Sequence, residues 1–213
     1  MEKNIKKYTF LVADDHKIIT QSMAFFIKDL YKDAEIIQLN KLGSILKTLH
    51  TTSVDMLVLD ISFPDGNTLQ IIPTIKNILP DAKILIFSGY EEEIYALRYI
   101  NAGANGYISK MSSEDEIKEA IKKVIDTGKY VSSEIQDKIT DSYLHKKPVN
   151  PLEQLSDREL EIAQLLVEGY GNTQISQTLA LQKSTVSTYK NRIFEKLNVE
   201  NISELIQLFQ LNK

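Results

Sequence analysis

Five short apolar runs, near residues 8–13, 35–39, 54–60, 83–87 and 105–109, alternate with helix-like segments near 17–31, 43–50, 67–78, 91–101 and 113–126. Runs this short and this apolar fit strands buried on both faces, with one crossover helix between successive strands. Five βα units in about 125 residues imply an α/β domain built on a doubly wound, five-stranded parallel sheet. The clearest helix is the last: Ile117, Ala120, Ile121, Val124 and Ile125 recur at i, i+3, i+4, i+7, i+8. Ser113 and Glu116 have capping-box spacing at its start, and Gly128 marks its stop.

The strand ends carry the chemistry. Asp14 and Asp15 close the first run, Tyr8–Ala13, and Asp60 closes the run Val54–Leu59. Ser88 follows the fourth run and Lys110 the fifth. Taken singly, each reads as a turn residue or a solvated side chain. Together they all sit at carboxyl ends of parallel strands and so converge on the one edge where open α/β sheets place their sites. Three carboxylates held close repel one another unless a cation joins them, and hard oxygen ligands suit Mg²⁺. A carboxylate nucleophile with a metal, a hydroxyl and an ammonium around it is equipped to receive a phosphoryl group.

Composition narrows the classes. The chain has 213 residues, 43% of them hydrophobic and 25% charged, which is enough for one medium and one small globular domain. With no cysteine, disulfides and thiolate metal sites are excluded, and three histidines (His16, His50, His145) argue against a histidine-rich metal centre. No segment approaches the roughly 20 apolar residues of a membrane span, and the start lacks a signal-peptide core, so a cytoplasmic protein without a membrane partner is expected. A net charge of -4 gives no general affinity for polyanions, so any nucleic-acid contact needs a local basic surface.

Beyond Gly128 the pattern loosens, with a short helical stretch at 132–144 and then Lys146-Lys147-Pro148-Val149-Asn150-Pro151, which reads as a linker. The expected organisation is a first domain over 6–128, a linker over 129–151 and a small all-α, four-helix domain over 152–213. In that last part Ser156 and Glu159 have capping-box spacing, Leu155 with Leu160 can form a hydrophobic staple, and Gly169 can end the first helix. Asn172 is expected to cap a second short helix, with a third over about 183–197 and a fourth over about 203–211. Four short helices with tight turns fit a helix-turn-helix module.

These motifs carry a resemblance. Ala13-Asp14-Asp15-His16, Leu59-Asp60-Ile61-Ser62-Phe63-Pro64, Phe87-Ser88-Gly89 and Ala102 through Lys110 make residues 8–126 similar to a response-regulator receiver domain, of the CheY-like, flavodoxin-like fold. Residues 152–211 resemble the LuxR-type helix-turn-helix of the NarL/FixJ group, nearest a virulence-regulator-like subgroup. The resemblance implies a DNA-binding, two-component response regulator rather than an enzyme. A sensor histidine kinase would phosphorylate Asp60, and this would control dimerisation and transcription-factor activity. It implies Mg²⁺ held by Asp14, Asp15, Asp60 and the main-chain carbonyl of Ser62. Ser88 and Lys110 would hold the phosphoryl oxygens, and Tyr107 would act as the switch aromatic. Double-stranded DNA, a second copy of the chain and RNA polymerase are the further implied partners. One departure lies after Asp60: where the family often has glycine eight residues on, this chain has Thr68, with Gly66 two positions earlier.

The third helix of the module matches a recognition helix over Ser184-Thr185-Val186-Ser187-Thr188-Tyr189-Lys190-Asn191-Arg192 and on to Leu197. Val186, Ile193 and Leu197 form an inward stripe, while Ser184, Ser187, Thr188, Asn191 and Glu195 share another face that could enter a major groove. Ser187, Thr188 and Asn191 are the candidates for base edges. Lys183, Lys190, Arg192 and Lys196 suit the phosphates, and Ser184 and Thr185 are further candidate DNA contacts. Gln182 stands where a serine cap is usual, so this helix start is weakly capped. The alternative for the face is a solvated surface on a protein-binding helix.

Three rival functions meet specific objections. An aspartyl phosphohydrolase of the haloacid dehalogenase type wants a second aspartate two residues past the nucleophile, and this chain has Ser62 there. A structural protein with a degenerate receiver would not need the intact acidic set. A regulator that senses a small molecule lacks a domain for it.

Overall fold

A computed structural model of the chain describes residues 7–132, 135–136 and 151–211. The chain divides into two compact units, Met1–Leu144 and His145–Lys213. Of the short helix expected at 132–144, Ser132, Ile135 and Gln136 are described: Ile135 and Gln136 are helical and Ser132 is not; the rest, with the linker stretch 146–150, lies outside the described residues.

The first unit runs β1 (Thr9–Ala13), α1 (Lys17–Leu30), β2 (Glu35–Leu39), α2 (Leu42–Leu49), β3 (Met56–Leu59), β4 (Ser62–Phe63), β5 (Gly66–Asn67), a 3-10 turn (Thr68–Gln70), α3 (Ile72–Ile78), β6 (Lys83–Ser88), α4 (Glu92–Asn101), β7 (Gly106–Ser109) and α5 (Glu114–Thr127). The main sheet has the order β2-β1-β3-β6-β7 and is parallel throughout. Alternate residues of its strands face opposite helical layers. Phe10, Val12, Met56, Val58, Leu85, Phe87 and Ile108 pack with Met23 and Ile27 of α1 and with Ile117, Ala120, Ile121 and Val124 of α5. The helix stripe read from the sequence is thus the buried face of α5. Its N-terminus carries the capping box: Ser113 Oγ accepts from Glu116 N, and Glu116 Oε2 accepts from Ser113 N at 2.8 Å. Each fully buried Ile or Val of this kind contributes about 1.5–3 kcal/mol relative to exposure.

The single helix expected over 67–78 is divided. A hairpin of β4 and β5 (Ser62↔Asn67, Phe63↔Gly66) and the 3-10 turn come first, and α3 begins only at Ile72. Pro73 explains the division. It has no N–H to donate, and its ring would clash with the carbonyl four residues back, so it is tolerated only in the first turn of α3. Gly66, at φ 148°, makes the hairpin turn in a region that disfavours side chains. Asp65 in that turn accepts from Leu42 N and Gly43 N, each at 3.0 Å, so the loop after β3 also caps α2.

The end of α5 is tied back to the sheet. Asn105 Oδ1 accepts from Ile84 N and Lys76 Nζ, both at 2.9 Å, and its Nδ2 donates to Gly128 O at 2.8 Å. Tyr130 then pairs with Gly106 in a parallel bridge: Tyr130 N donates to Asn105 O at 2.9 Å, and Tyr107 N to Tyr130 O at 3.3 Å. A Cβ on Gly106 would lie 2.6 Å from Tyr130 O, so this backbone approach requires glycine.

The second unit opens with a 3-10 turn (Pro151–Gln154), followed by α6 (Asp157–Val167), α7 (Asn172–Thr178), α8 (Lys183–Leu197) and α9 (Ile202–Leu211). Its buried apolar residues include Leu155, Leu160, Ile162, Leu166, Ile175, Val186, Ile193, Leu197, Leu205 and Phe209. Asn172 does not cap α7 but is its first residue. Gly171 takes the cap position, its N–H bound by Gln174 Oε1 at 2.9 Å, while the Asn172 amide turns to Ser187.

Candidate functional site

The sheet order reverses between β1 and β3, the adjacent strands from which the chain winds outward in both directions. That is the switch point where such sheets open a crevice at their carboxyl edge. Ala13 pairs with Leu59, so Asp14 and Asp60 emerge side by side. Asp60 N donates to Ala13 O at 2.9 Å, and Asp14 N to Leu39 O at 3.1 Å. Both side chains are nearly buried. Ser88 pairs with Ser109 across β6 and β7, which brings Ser88 and Lys110 to the same edge.

Lys110 Nζ lies 2.6 Å from Asp14 Oδ2 and 2.9 Å from Asp60 Oδ2, so one ammonium bridges two carboxylates. His16, which the sequence argument left unassigned, joins them: its Nδ1 lies 2.8 Å from Asp15 Oδ1 and 3.3 Å from Asp14 Oδ1. Candidate ligand atoms of Asp14, Asp15, His16 and Asp60 all fall within 4.8 Å of one another. Burial pushes the Asp60 carboxyl up to about 6; Lys110 opposes the shift and the Asp14 charge adds to it. For Lys110, burial alone would depress the ammonium, but Asp60 and Asp14 outweigh it and hold it above its ordinary value. Three carboxylates against one lysine leave an excess of negative charge on a compact set of oxygens. The residues therefore fit a small hard divalent cation.

Ser88 is fully buried, and its Oγ accepts from Tyr90 N at 3.3 Å. The Tyr107 hydroxyl donates to Tyr90 O at 2.9 Å. Tyr90 is thus held at both ends of its backbone, by the hydroxyl next to the pocket and by the candidate switch aromatic. The Tyr107 ring is buried, which holds its hydroxyl far above the ordinary tyrosine value. Ser62 stands two residues beyond Asp60, half-buried at the start of β4.

In the second unit α7 and α8 form the helix-turn-helix pair. Ser184, Thr188, Asn191, Arg192 and Glu195 are exposed on α8, as is Lys183. Ser187 is half-buried: its hydroxyl accepts from Asn172 Nδ2 at 3.0 Å and donates to Lys183 O at 3.1 Å. Thr185 is half-buried too, Thr188 donates to Ser184 O at 3.0 Å, and Lys190 lies 5.4 Å over the Phe194 ring. Gln182 occupies the N-cap position and its side chain makes no capping hydrogen bond, as its residue type suggested. Lys196 differs from its neighbours. Its Nζ sits 2.6 Å from Glu159 Oε2, a carboxylate that is 4% exposed and also accepts from Ser156 N at 2.7 Å. Burial would raise the Glu159 carboxyl, but the bonds from Lys196 and Ser156 outweigh it and hold it below the ordinary glutamate value. Among the described residues, no helix is long and apolar enough to cross a membrane.

Comparison with known proteins gives two family matches: the response regulator receiver domain over residues 10–122, and the bacterial regulatory proteins of the luxR family over residues 153–209. The chain is 30% identical over 200 residues to the response regulator UvrY of Escherichia coli K12, covering 93% of this chain and 91% of that protein. It is 29% identical over 202 residues to the Fimbriae Z protein of Salmonella typhimurium, covering 95% and 96% of the two chains. Among solved structures, that of the two-component response regulator RcsB-DNA complex matches with a TM-score of 0.58 at 19% identity, over 96% of this chain and 98% of that one. At that identity the match speaks for the fold.

Proposed function

The chain belongs to the two-component response regulators, with a receiver domain and a LuxR-type DNA-binding domain, and on that premise we propose that Asp60 is its phosphoacceptor. The observation that carries the proposal is the convergence of Asp14, Asp60 and Lys110 at one sheet edge, with Asp15 beside them. In this reading a carboxylate oxygen of Asp60 attacks the phosphorus of a sensor kinase's phosphohistidine. The new O–P bond replaces the P–N bond, and the imidazole leaves and recovers a proton. Lys110 holds a phosphoryl oxygen, and Ser88 donates its hydroxyl to another.

Asp14, Asp15, Asp60 and the main-chain carbonyl of Ser62 would hold Mg²⁺. When bound, the ion neutralises the charge that gathers between nucleophile and phosphoryl group. Occupation of Ser88 by the phosphoryl group takes its hydroxyl from Tyr90 N–H, and Tyr107 follows through its bond to Tyr90 O. The output is double-stranded DNA bound by a homodimer, with α8 in the major groove, and RNA polymerase is the downstream partner. Ser184, Thr188 and Asn191 face outward and suit base edges, whereas Ser187 already has two partners within the protein. Lys183, Lys190 and Arg192 suit phosphates.

The test is intact mass after incubation with acetyl phosphate and Mg²⁺, with Asp60→Asn alongside. One added phosphoryl group in the wild type, absent without Mg²⁺ and absent in the variant, is expected. An adduct that persists in Asp60→Asn would overturn the assignment. So would failure of the wild type to accept phosphoryl from acetyl phosphate and to bind beryllofluoride.

A further inference from the structure

We propose that Thr68 is a positioning residue for the phosphoacceptor, acting through the peptide group that joins Asp60 to Ile61; the inference rests on Asp60 being the acceptor. Three observations carry it. First, the Thr68 hydroxyl donates to Asp60 O, the carbonyl of that peptide. Second, the N–H of the same peptide, on Ile61, donates to Asp60 Oδ1 at 2.8 Å. Third, Thr68 N donates to Ile61 O at 3.0 Å, so Thr68 grips the backbone on both sides of Ile61. Thr68 is fully buried, and water does not compete for these bonds.

The consequence is geometric. A peptide group is planar, so fixing its carbonyl fixes the direction of its N–H. Ile61 N–H therefore holds Oδ1, and the carboxylate plane leaves Oδ2 on Lys110 at 2.9 Å. A hydrogen bond accepted by the carbonyl also polarises the N–H of the same amide and strengthens its bond to Oδ1. The two carboxylate oxygens thus have different partners before any phosphoryl donor arrives. Orientation of this kind lowers the barrier to an in-line attack.

Thr68 is itself held in place. Asn67 Oδ1 accepts from Leu69 N at 2.7 Å and from the Tyr99 hydroxyl of α4 at 2.9 Å, which fixes the turn that Thr68 begins. Glycine at this position would allow the backbone turn but could not make the hydroxyl bond.

The test uses the full chain and three variants. Thr68→Val keeps the shape and removes the hydroxyl, Thr68→Ser keeps the hydroxyl, and Thr68→Ala removes it without a second methyl group and substitutes for the valine variant if that fails to fold. The first readout is the rate of phosphoryl transfer from acetyl phosphate with saturating Mg²⁺. The second is the amide proton shift of Ile61, which reports its bond to Oδ1. Loss of the hydroxyl is expected to slow transfer about tenfold and to move the Ile61 proton upfield, while Thr68→Ser stays within about twofold of wild type on both readouts. A folded valine or alanine variant with wild-type rate and an unmoved Ile61 proton would falsify the proposal. So would a serine variant as slow as the valine one. Failure of the Asp60 reading looks different: the wild type itself then takes no phosphoryl group, whereas the Ile61 shift still reports on Thr68.

Discussion

Asp60 in the first unit and Glu159 in the second are both buried beside a lysine, and the two behave in opposite ways. Asp60 is 7% exposed and is pushed up to about 6; Glu159 is 4% exposed and is held below the ordinary glutamate value. The lysine distances hardly differ, at 2.9 Å for Lys110 and 2.6 Å for Lys196. What differs is the company. Glu159 has Lys196 in close contact and takes backbone and hydroxyl bonds from the Ser156 cap. Asp60 must share Lys110 with Asp14 and takes one backbone bond, from Ile61. Burial therefore does not mark a functional acid. An acid whose charge is left partly uncompensated is poised for chemistry, and one whose charge is satisfied is part of the scaffold.

The largest effect that would break this contrast is on Asp60. Its folded value lies above the ordinary 3.8, so the folded state holds the proton more tightly than the unfolded chain does. Its contribution to stability is most favourable below about pH 4, falls as pH rises through about 4 to 6, and is flat above. In chelator at pH 8, Asp60→Asn is expected to be more stable than wild type by about 2–3 kcal/mol in urea unfolding, with the gap closing at acid pH. A wild type as stable as the variant at pH 8 would remove the uncompensated charge from the account. Added Mg²⁺ should raise the stability of the wild type and leave the variant almost unchanged.

Next in size is Lys196→Met, which leaves Glu159 buried without its cation. Full burial would make the loss larger, but the Lys196 side chain is 43% exposed, so about 1–2 kcal/mol is expected from the second unit's unfolding transition. The sign of the pH dependence is opposite to that of Asp60. The stability from Glu159 is present above the ordinary 4.5 and is lost as pH falls through its depressed folded value. The Lys196→Met variant should lack much of that acid-side loss, and an identical acid limb in both proteins would sink the pairing argument.

The smallest effect concerns DNA. Lys196 is held by Glu159, which leaves Lys183, Lys190 and Arg192 as the phosphate candidates on α8. Residues 151–213 carry eight carboxylates against six Lys and Arg side chains, so little background attraction supplements them. The salt dependence of binding should correspond to roughly three phosphate contacts per module, a slope near −3 in log K against log salt. Lys196→Met should leave that slope unchanged, whereas Arg192→Met should reduce it by about one. A drop of about one on Lys196→Met would return Lys196 to the DNA surface.

Much of this was legible in the sequence because it is local or periodic. The five strands, the α5 stripe and both capping boxes depend on residues a few positions apart, and all formed where their spacing placed them. The acidic edge was legible because parallel topology sends every strand's carboxyl end the same way. What was missed is long-range. Glu159 reads as a cap residue from its spacing to Ser156, and its partner lies 37 residues away. Asn172 has cap chemistry, but its amide is drawn to Ser187, 15 positions on. The break in the expected 67–78 helix had a visible signal in Pro73. Thr68 was visible as a departure from glycine, yet the role of its hydroxyl needed the fold to bring it back to the Asp60 carbonyl.

The Tyr130 bridge has a further consequence for how copies of this chain can associate. A parallel sheet has two open edges, and each can recruit a strand from another molecule. Here the β7 side is met by Tyr130, while β2 remains the outer strand on the other side. That bridge occupies only the start of β7, at Gly106 and Tyr107, and leaves β2 the longer free edge among the described residues. Two protomers joined through β2 across a two-fold axis would use the same edge on both copies and close on themselves as a pair.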